Sequence, residues 1–232
     1  MEPGEAIILG HGSDIARGLW KRLIVDGWGV TGIGREKAAL QTAYRWDLLI
    51  SAIGTMEPIG KFFDLDPDEW AQSVHTNFVK QLRLLHTLWP MRAARPAVMF
   101  FAGGGTNGPF DRYSAYCVAK IALIKMVELL HHENPEANCF IIGPGYVKTK
   151  IHDETLRAGA AAGENLGKTK VLLEGVGTPI DDIYDHMMWC VEQGRDVAGG
   201  RNFSTVHDAW GTKGIVERLK NDPDMFRLRR RS

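Results

Sequence analysis

One repeated pattern constrains this chain more than any other. A short apolar run ends in a turn of small residues, and a helical pattern follows. Ala6-Ile7-Ile8-Leu9, Asp47-Leu48-Leu49-Ile50, Ala97 to Ala102 and Ala137 to Ile142 are runs of this kind. Near-continuous apolarity is what a strand buried on both faces requires. Strands alternating with helices imply a parallel sheet covered by helices on both faces, an α/β fold. In such sheets ligands bind outside the strands' C-terminal ends. The loops 10–16, 51–54, 103–112 and 143–149 all fall there. With 232 residues, no internal repeat and no linker, the chain reads as a single domain spanning 1–232.

The first turn is Gly10-His11-Gly12-Ser13-Asp14-Ile15-Ala16, ahead of a helical stretch, Arg17 to Val25. Strand, glycine turn and helix form the first half of a dinucleotide-binding unit, which makes the sheet Rossmann-like and doubly wound. Gly10 and Gly12 would let backbone approach a pyrophosphate, and the helix N-terminus offers free N–H groups. Glycines in such a turn also serve structure alone, and this stretch does not choose between the two. A second strand, Gly29 to Ile33, ends at Gly34-Arg35. Arg35 would pair with a 2′-phosphate and so favour NADP over NAD, or it is a solvated strand-end arginine. Glu36 to Trp46 has room for one short helix and no further strand, so the third strand of the fold is expected to be deleted. Ser51-Ala52-Ile53-Gly54 is a small-residue turn suited to close ligand approach. Asp66-Pro67-Asp68-Glu69 starts a helix with a capping box, running to about Leu88. Asn77 interrupts that helix, either as a solvated side chain or as a group that positions water.

Tyr116 and Lys120 lie one helical turn apart on one face. An ammonium close to a phenol favours the tyrosinate and brings it toward use as a proton donor or acceptor. Beyond Pro144-Gly145-Tyr146-Val147-Lys148-Thr149, the stretch Ile151 to Gly177 has little pattern. It reads as a mobile segment, at about 150–178, that covers a substrate. A helix from Thr178 to about Gln193 and a last strand, Gly200 to Val206, complete the chain.

In this order the motifs resemble those of the short-chain dehydrogenase/reductase family along essentially the whole length. Gly10 to Ala16 stands at that family's glycine turn, and Ser51-Ala52-Ile53-Gly54 at its Asn-Asn-Ala-Gly. Asn77 stands at its helix asparagine, Tyr116 and Lys120 at its Tyr-x-x-x-Lys, and Pro144 to Thr149 at its Pro-Gly-x-Val-x-Thr. The resemblance implies a nicotinamide cofactor, NADP or NAD, and interconversion of a carbonyl and a secondary alcohol. Tyr116 would be the general acid/base, and Lys120 would lower its pKa and hold the nicotinamide ribose. Asn77 would support a water-linked relay, and Val147 and Thr149 would contact the nicotinamide amide. Gly10, Gly12, Ser13, Asp14, Ile15, Arg35, Ser51, Ala52, Ile53, Gly54, Pro144 and Gly145 would complete the cofactor site. Where the family carries its catalytic serine, this chain has Ala102 and Gly103, leaving Thr106 as the nearby hydroxyl that could swing in. Asp14 replaces a turn glycine and is expected to point away from the diphosphate, for example to cap the helix. Tyr44 or Trp46 would stack on the adenine or pack in the core. Val197 to Arg201 and His207 to Trp210 resemble members tied to sugar-nucleotide metabolism, which suggests a sugar nucleotide or other polar substrate. A cofactor-binding sensor or partner protein with weakened chemistry is the alternative, and a dehydratase or epimerase ranks last. The resemblance also implies a homodimer or homotetramer formed through the Asp66 and Tyr116 helices.

Composition excludes other classes. Lys plus Arg equals Asp plus Glu at 28 each, so no overall field draws the chain to nucleic acid or an anionic membrane. No apolar run approaches membrane length, and no leader-like segment opens the chain, so a cytoplasmic location is expected. Cys117, Cys139 and Cys190 lack metal-ligand spacing, and no metal is expected; they should pack as small hydrophobes. Arg227 to Arg231 reads as a solvated, frayed tail.

Overall fold

A computed structural model describes residues 2–34 and 45–230. The expected short helix after the Gly29 to Ile33 strand, together with Arg35 and Tyr44, lies outside the described residues. Six parallel strands form one sheet in the order β2-β1-β3-β4-β5-β6. They are β1 Glu5–Leu9, β2 Gly29–Ile33, β3 Trp46–Ser51, β4 Arg92–Phe101, β5 Asn138–Gly143 and β6 Asn202–Ser204. Among the described residues β2 is the edge strand on its side, in line with the expected deletion.

Alternation along each strand feeds two cores. Ala6, Ile8, Ala97, Met99, Phe140 and Ile142 pack on one face, against α1 (Asp14–Val25) and α7 (Ile180–Gln193). Ile7, Leu9, Val98, Phe100, Cys139 and Ile141 pack on the other, against α3 (Lys80–Leu88) and α4 (Ser114–Glu133). Cys139 and Cys190 are fully buried and Cys117 partly so, all three as free thiols. Trp46 is buried, and its indole N–H donates to the Leu88 carbonyl at 2.8 Å, so it packs in the core at the sheet end away from the glycine turns. β4 begins at Arg92, earlier than the apolar run alone indicates. Arg92 lies over the Trp89 ring and pairs with Glu136 at 2.9 Å, so a charged residue can open a buried strand.

Local signals held at several ends. Asp66 caps α2 (Pro67–Val74) by accepting from the N–H groups of Asp68 and Glu69. At α1 the cap is Ser13 rather than Asp14: its hydroxyl accepts from the Ala16 N–H at 3.2 Å. Two expectations fail. Residues 150–178, expected to lack pattern, contain α5 (His152–Ala158) and α6 (Glu164–Glu174), broken at Gly159 and Gly163, both with positive φ. The C-terminal tail is docked through Arg229, which grips Glu128 with two N–H groups at 2.7 and 3.1 Å and Asp224 at 2.7 Å. Glu128 stands far back in the sequence, where no tail-local reading reaches it. Between α7 and β6 lies the short α8 (Arg195–Ala198), and α9 (Lys213–Asn221) follows β6. No helix among the described residues is long and apolar enough to cross a membrane.

Candidate active site

All four loops singled out from the sequence meet at the C-terminal end of the sheet. Gly10 has a φ of 75° and passes so close to the next turn that an added Cβ would lie 3.1 Å from the Ala52 carbonyl. The Gly10 N–H bonds Ile33, the Ser13 N–H bonds Gly10, and the Ala52 N–H bonds Leu9, which fixes the two turns against each other. Gly12 faces open space, the room a diphosphate needs beside the start of α1. The Asp14 carboxylate accepts from the Lys150 backbone N–H at 2.8 Å, and Lys150 Nζ stands 3.9 Å off. These residues therefore fit a dinucleotide.

Tyr116 and Lys120 sit on the first turns of α4. Lys120 is 3% exposed; its Nζ donates to the Phe101 carbonyl at 2.9 Å and lies 5.7 Å from the Tyr116 ring centre. Tyr116 as a residue is partly exposed, while its hydroxyl is packed against Gly103. Any side chain at 103 would collide with that hydroxyl, so a serine at this position and the present placement of Tyr116 exclude each other. Thr106 turns its hydroxyl back on the Gly103 carbonyl at 3.5 Å, at the edge of bonding range. Ser114 accepts from the Trp70 indole N–H at 2.9 Å, a structural role.

The electrostatics differ from the simple expectation. Burial raises the Tyr116 phenol well above its ordinary value, with smaller contributions from Cys117 and Glu154. Burial also pushes Lys120 down to about 8. Desolvation penalises the charged form of each group, so burial favours the neutral phenol.

Asn77 is fully buried, not solvated. It lies in a π-helical turn, His75–Val79, between α2 and α3. Its side chain clamps Thr55, accepting from the Thr55 N–H at 3.0 Å and donating to the Thr55 carbonyl at 2.9 Å. The turn frees the Asn77 backbone carbonyl, as π-turns do. The Gln81 side-chain amide fills that place, while Gln81 Oε1 accepts from the Ser51 hydroxyl at 2.6 Å. Ser51 therefore faces the helix, and the Asn77 carbonyl, one of the two groups that could position water, already has a partner. Gln81 was legible as a residue one turn beyond Asn77. Nothing local marked Glu154, whose carboxylate accepts from Thr55 Oγ1 at 3.1 Å and from the N–H groups of Met56 and Glu57 at 2.5 and 3.2 Å. Ile53 lies against Gly10, and Gly54 lies beside Asn77 and Lys120. Val147 is buried with its carbonyl bonded to His152 at 3.0 Å, Gly145 has a φ of 75°, and Thr149 is partly exposed. Ile15, Pro144 and Thr149 are each partly exposed on the first and last of these loops. Among the described residues no cluster of His, Cys, Asp or Glu could hold a metal.

A parallel sheet with a glycine turn at its first crossover and a Tyr–Lys pair at the facing strand end defines a Rossmann-type protein of the dehydrogenase class. A family model described as enoyl-(acyl carrier protein) reductase matches residues 36–194, more than half of the chain. The chain belongs to that family, within the short-chain dehydrogenases/reductases. It is 30% identical over 127 residues to an uncharacterized oxidoreductase of Schizosaccharomyces pombe, covering 53% of this chain and 51% of that protein. Over 115 residues it is 25% identical to an uncharacterized oxidoreductase of Saccharomyces cerevisiae, covering 49% and 45%. The chain thus spans about half the length of the curated relatives it matches. The crystal structure of that budding-yeast protein, a short-chain dehydrogenase/reductase, superposes with a TM-score of 0.72 at 16% identity, covering 90% of this chain and 98% of that one. A small-chain dehydrogenase in complex with NADPH superposes at 0.73 and 16% identity, covering 87% and 96%. At these identities the structures establish the fold.

Proposed function

We propose that this chain is an NAD(P)(H)-dependent oxidoreductase that interconverts a carbonyl and a secondary alcohol, with NADP(H) the favoured cofactor. The observation that carries the reading is the Tyr116 hydroxyl at the strand end beside Gly103, with Lys120 one turn on and the open Gly12 turn facing the same crevice. The turn Gly10 to Ile15 would hold the diphosphate. Ala52 to Gly54, Lys120, and Pro144, Gly145, Val147 and Thr149 would border the nicotinamide half. Arg35 would meet a 2′-phosphate, in keeping with the NADPH held by one structural relative. When bound, the nicotinamide supplies or accepts the hydride.

The chain's own residues handle the proton and the geometry. Tyr116, kept protonated by burial, donates to the substrate oxygen as a carbonyl is reduced. Lys120 places a positive charge beneath the phenol and stabilises the tyrosinate left behind. Asn77 holds Thr55 and so fixes the backbone leading out of Gly54, next to Lys120. Phe62, Phe63, Val79 and Val118 are exposed around α2 to α4, which supports self-association through these helices; light scattering on the purified chain would read it.

The test is turnover of a carbonyl panel with NADPH and NADH, beside calorimetric binding. Tyr116→Phe should lower kcat by roughly 10²–10⁴-fold while NADPH still binds. No dinucleotide binding, or an unchanged Tyr116→Phe, would overturn the reading. Binding without any turnover would favour a sensor.

A further inference from the structure

The turn Ala52 to Gly54 is held at both ends by one chain of buried polar groups. Gln81 shares the buried face of α3 with Leu85 and Leu88. An amide on such a face is costly unless its polar atoms are paired. Both ends of Gln81 are paired: Oε1 accepts from the Ser51 hydroxyl at 2.6 Å, and Nε2 donates to the Asn77 carbonyl. Asn77 stands one helical turn earlier. Its Oδ1 accepts from the Thr55 N–H at 3.0 Å, and its Nδ2 donates to the carbonyls of Thr55 and Ser73 at 2.9 and 3.0 Å. Ser51, Asn77 and Gln81 are all fully buried.

Ser51 and Thr55 flank the turn. Gln81 therefore holds one end, Asn77 holds the other, and the two side chains are tied to each other through the Asn77 carbonyl. Between them the Ala52 N–H bonds Leu9 and the Ile53 side chain lies against Gly10. A Cβ added at Gly54 would lie 3.5 Å from Asn77 Oδ1 and 3.9 Å from Lys120 Nζ. A shift of this backbone would move the wall that faces Lys120. The polarity matches at each joint, because one amide gives the hydroxyl an acceptor and the carbonyl a donor. A methionine of similar length gives no donor and at best a weak acceptor.

Resting on the oxidoreductase reading, we propose that Gln81 is a positioning residue for the nicotinamide half of the cofactor. It acts through Ser51 and Asn77 by fixing the turn Ala52 to Gly54. Calorimetry with two ligands tests it: NADPH, and adenosine 2′,5′-bisphosphate, which lacks the nicotinamide half. Gln81→Met should weaken NADPH by about tenfold and leave adenosine 2′,5′-bisphosphate within about twofold, because only the nicotinamide half borders the turn. Ser51→Ala should shift the same ratio in the same direction by a smaller factor. The double variant should be no worse than Gln81→Met alone, since both changes break one chain of bonds. If Gln81→Met does not fold, Ser51→Ala carries the comparison, as it removes a single hydroxyl. An unchanged ratio in Gln81→Met, or in Ser51→Ala where that variant stands in, overturns the proposal and leaves the oxidoreductase reading standing. Equal weakening of both ligands also overturns it, by showing that Gln81 supports the fold in general. Additive losses in the double variant overturn the link between Gln81 and Ser51. A wild type that binds neither ligand overturns the proposal and the reading together.

Discussion

Lys120 and Arg201 are both only 3% exposed, and they do opposite things. Lys120 Nζ has a single carbonyl partner, Phe101, at the functional end of the sheet. Arg201 donates to the carbonyls of Leu219, Asp222 and Met225 at 2.6, 3.2 and 2.6 Å, closing the C-terminal end of α9. Burial is the leading cause of a lowered pKa in both, to about 8 for Lys120 and about 10 for Arg201. The guanidinium fork recovers much of its lost hydration from three acceptors at the negative end of a helix. The ammonium, near the Tyr116 ring and Gly54, has the Phe101 carbonyl alone. A buried ammonium with one carbonyl partner beside a phenol points to chemistry; a guanidinium whose two terminal nitrogens bond three carbonyls at and beyond the end of α9, its Nε alone without a partner among the described residues, points to structure.

Substituting each cation by methionine is the strongest way to break this contrast. Lys120→Met should lower kcat by about 10²-fold or more and yet raise stability at pH 7 by roughly 1–3 kcal/mol, because the desolvation penalty disappears. The sign follows from the depressed pKa. As pH rises through about 8 toward 10.5, the unfolded chain holds the extra proton and the wild type gains stability; the variant should show no such gain. Urea midpoints at pH 7 and 10 measure it, and a variant less stable at pH 7 would break the contrast. Arg201→Met should lose about 3 kcal/mol, since three buried carbonyls lose their donor, and leave kcat per folded molecule unchanged. A normal midpoint in that variant would mean that solvent replaces the guanidinium easily.

The same contrast shows what the sequence could and could not disclose. Apolar runs ending in glycine turns were enough for the sheet, the crevice and the Tyr116–Lys120 face, because those depend on period and backbone freedom. Asp66 and Pro67 marked their helix end through local chemistry. What could not be read is pairing across long separations. Glu154 meets Thr55, Arg201 meets the end of α9, and Arg229 meets Glu128, and no local pattern encodes any of these. α5 and α6 escaped notice because their glycines and alanines break the helical period. The burial of Tyr116 was hidden for a related reason: desolvation depends on everything packed around a group, and one helical turn of sequence shows only the neighbouring ammonium.

His131 sharpens the structural half of the comparison. Burial, with Arg195, Arg227 and Arg201 close by, pushes its imidazole down to about 4, and its Nδ1 has no partner among the described residues. The unfolded chain takes up this proton near pH 6.5, ahead of the folded one. Stability present above pH 6.5 should therefore fall as pH drops toward 4, by on the order of 1–2 kcal/mol from this residue. Denaturant midpoints from pH 7.5 to 4.5 would show it, and His131→Phe should flatten the slope. An equal slope in that variant would assign the loss to other groups, with fully buried His186 next in line.

Arg229 supplies a third kind of cation and the smallest effect. Its side chain is 34% exposed, its guanidinium grips Glu128 and Asp224, and with Lys125 it holds Glu128 down to about 2. Geometry as close as that of Arg201 does not give equal weight, because solvent screens this pair while little solvent reaches the other. Arg229→Ala should cost no more than about 1 kcal/mol, and less as salt is raised. Urea midpoints at low and high salt measure both statements. A loss near that of Arg201→Met, insensitive to salt, would show that docking of the tail rather than the ion pair carries the energy, and that partner geometry outranks burial in this molecule.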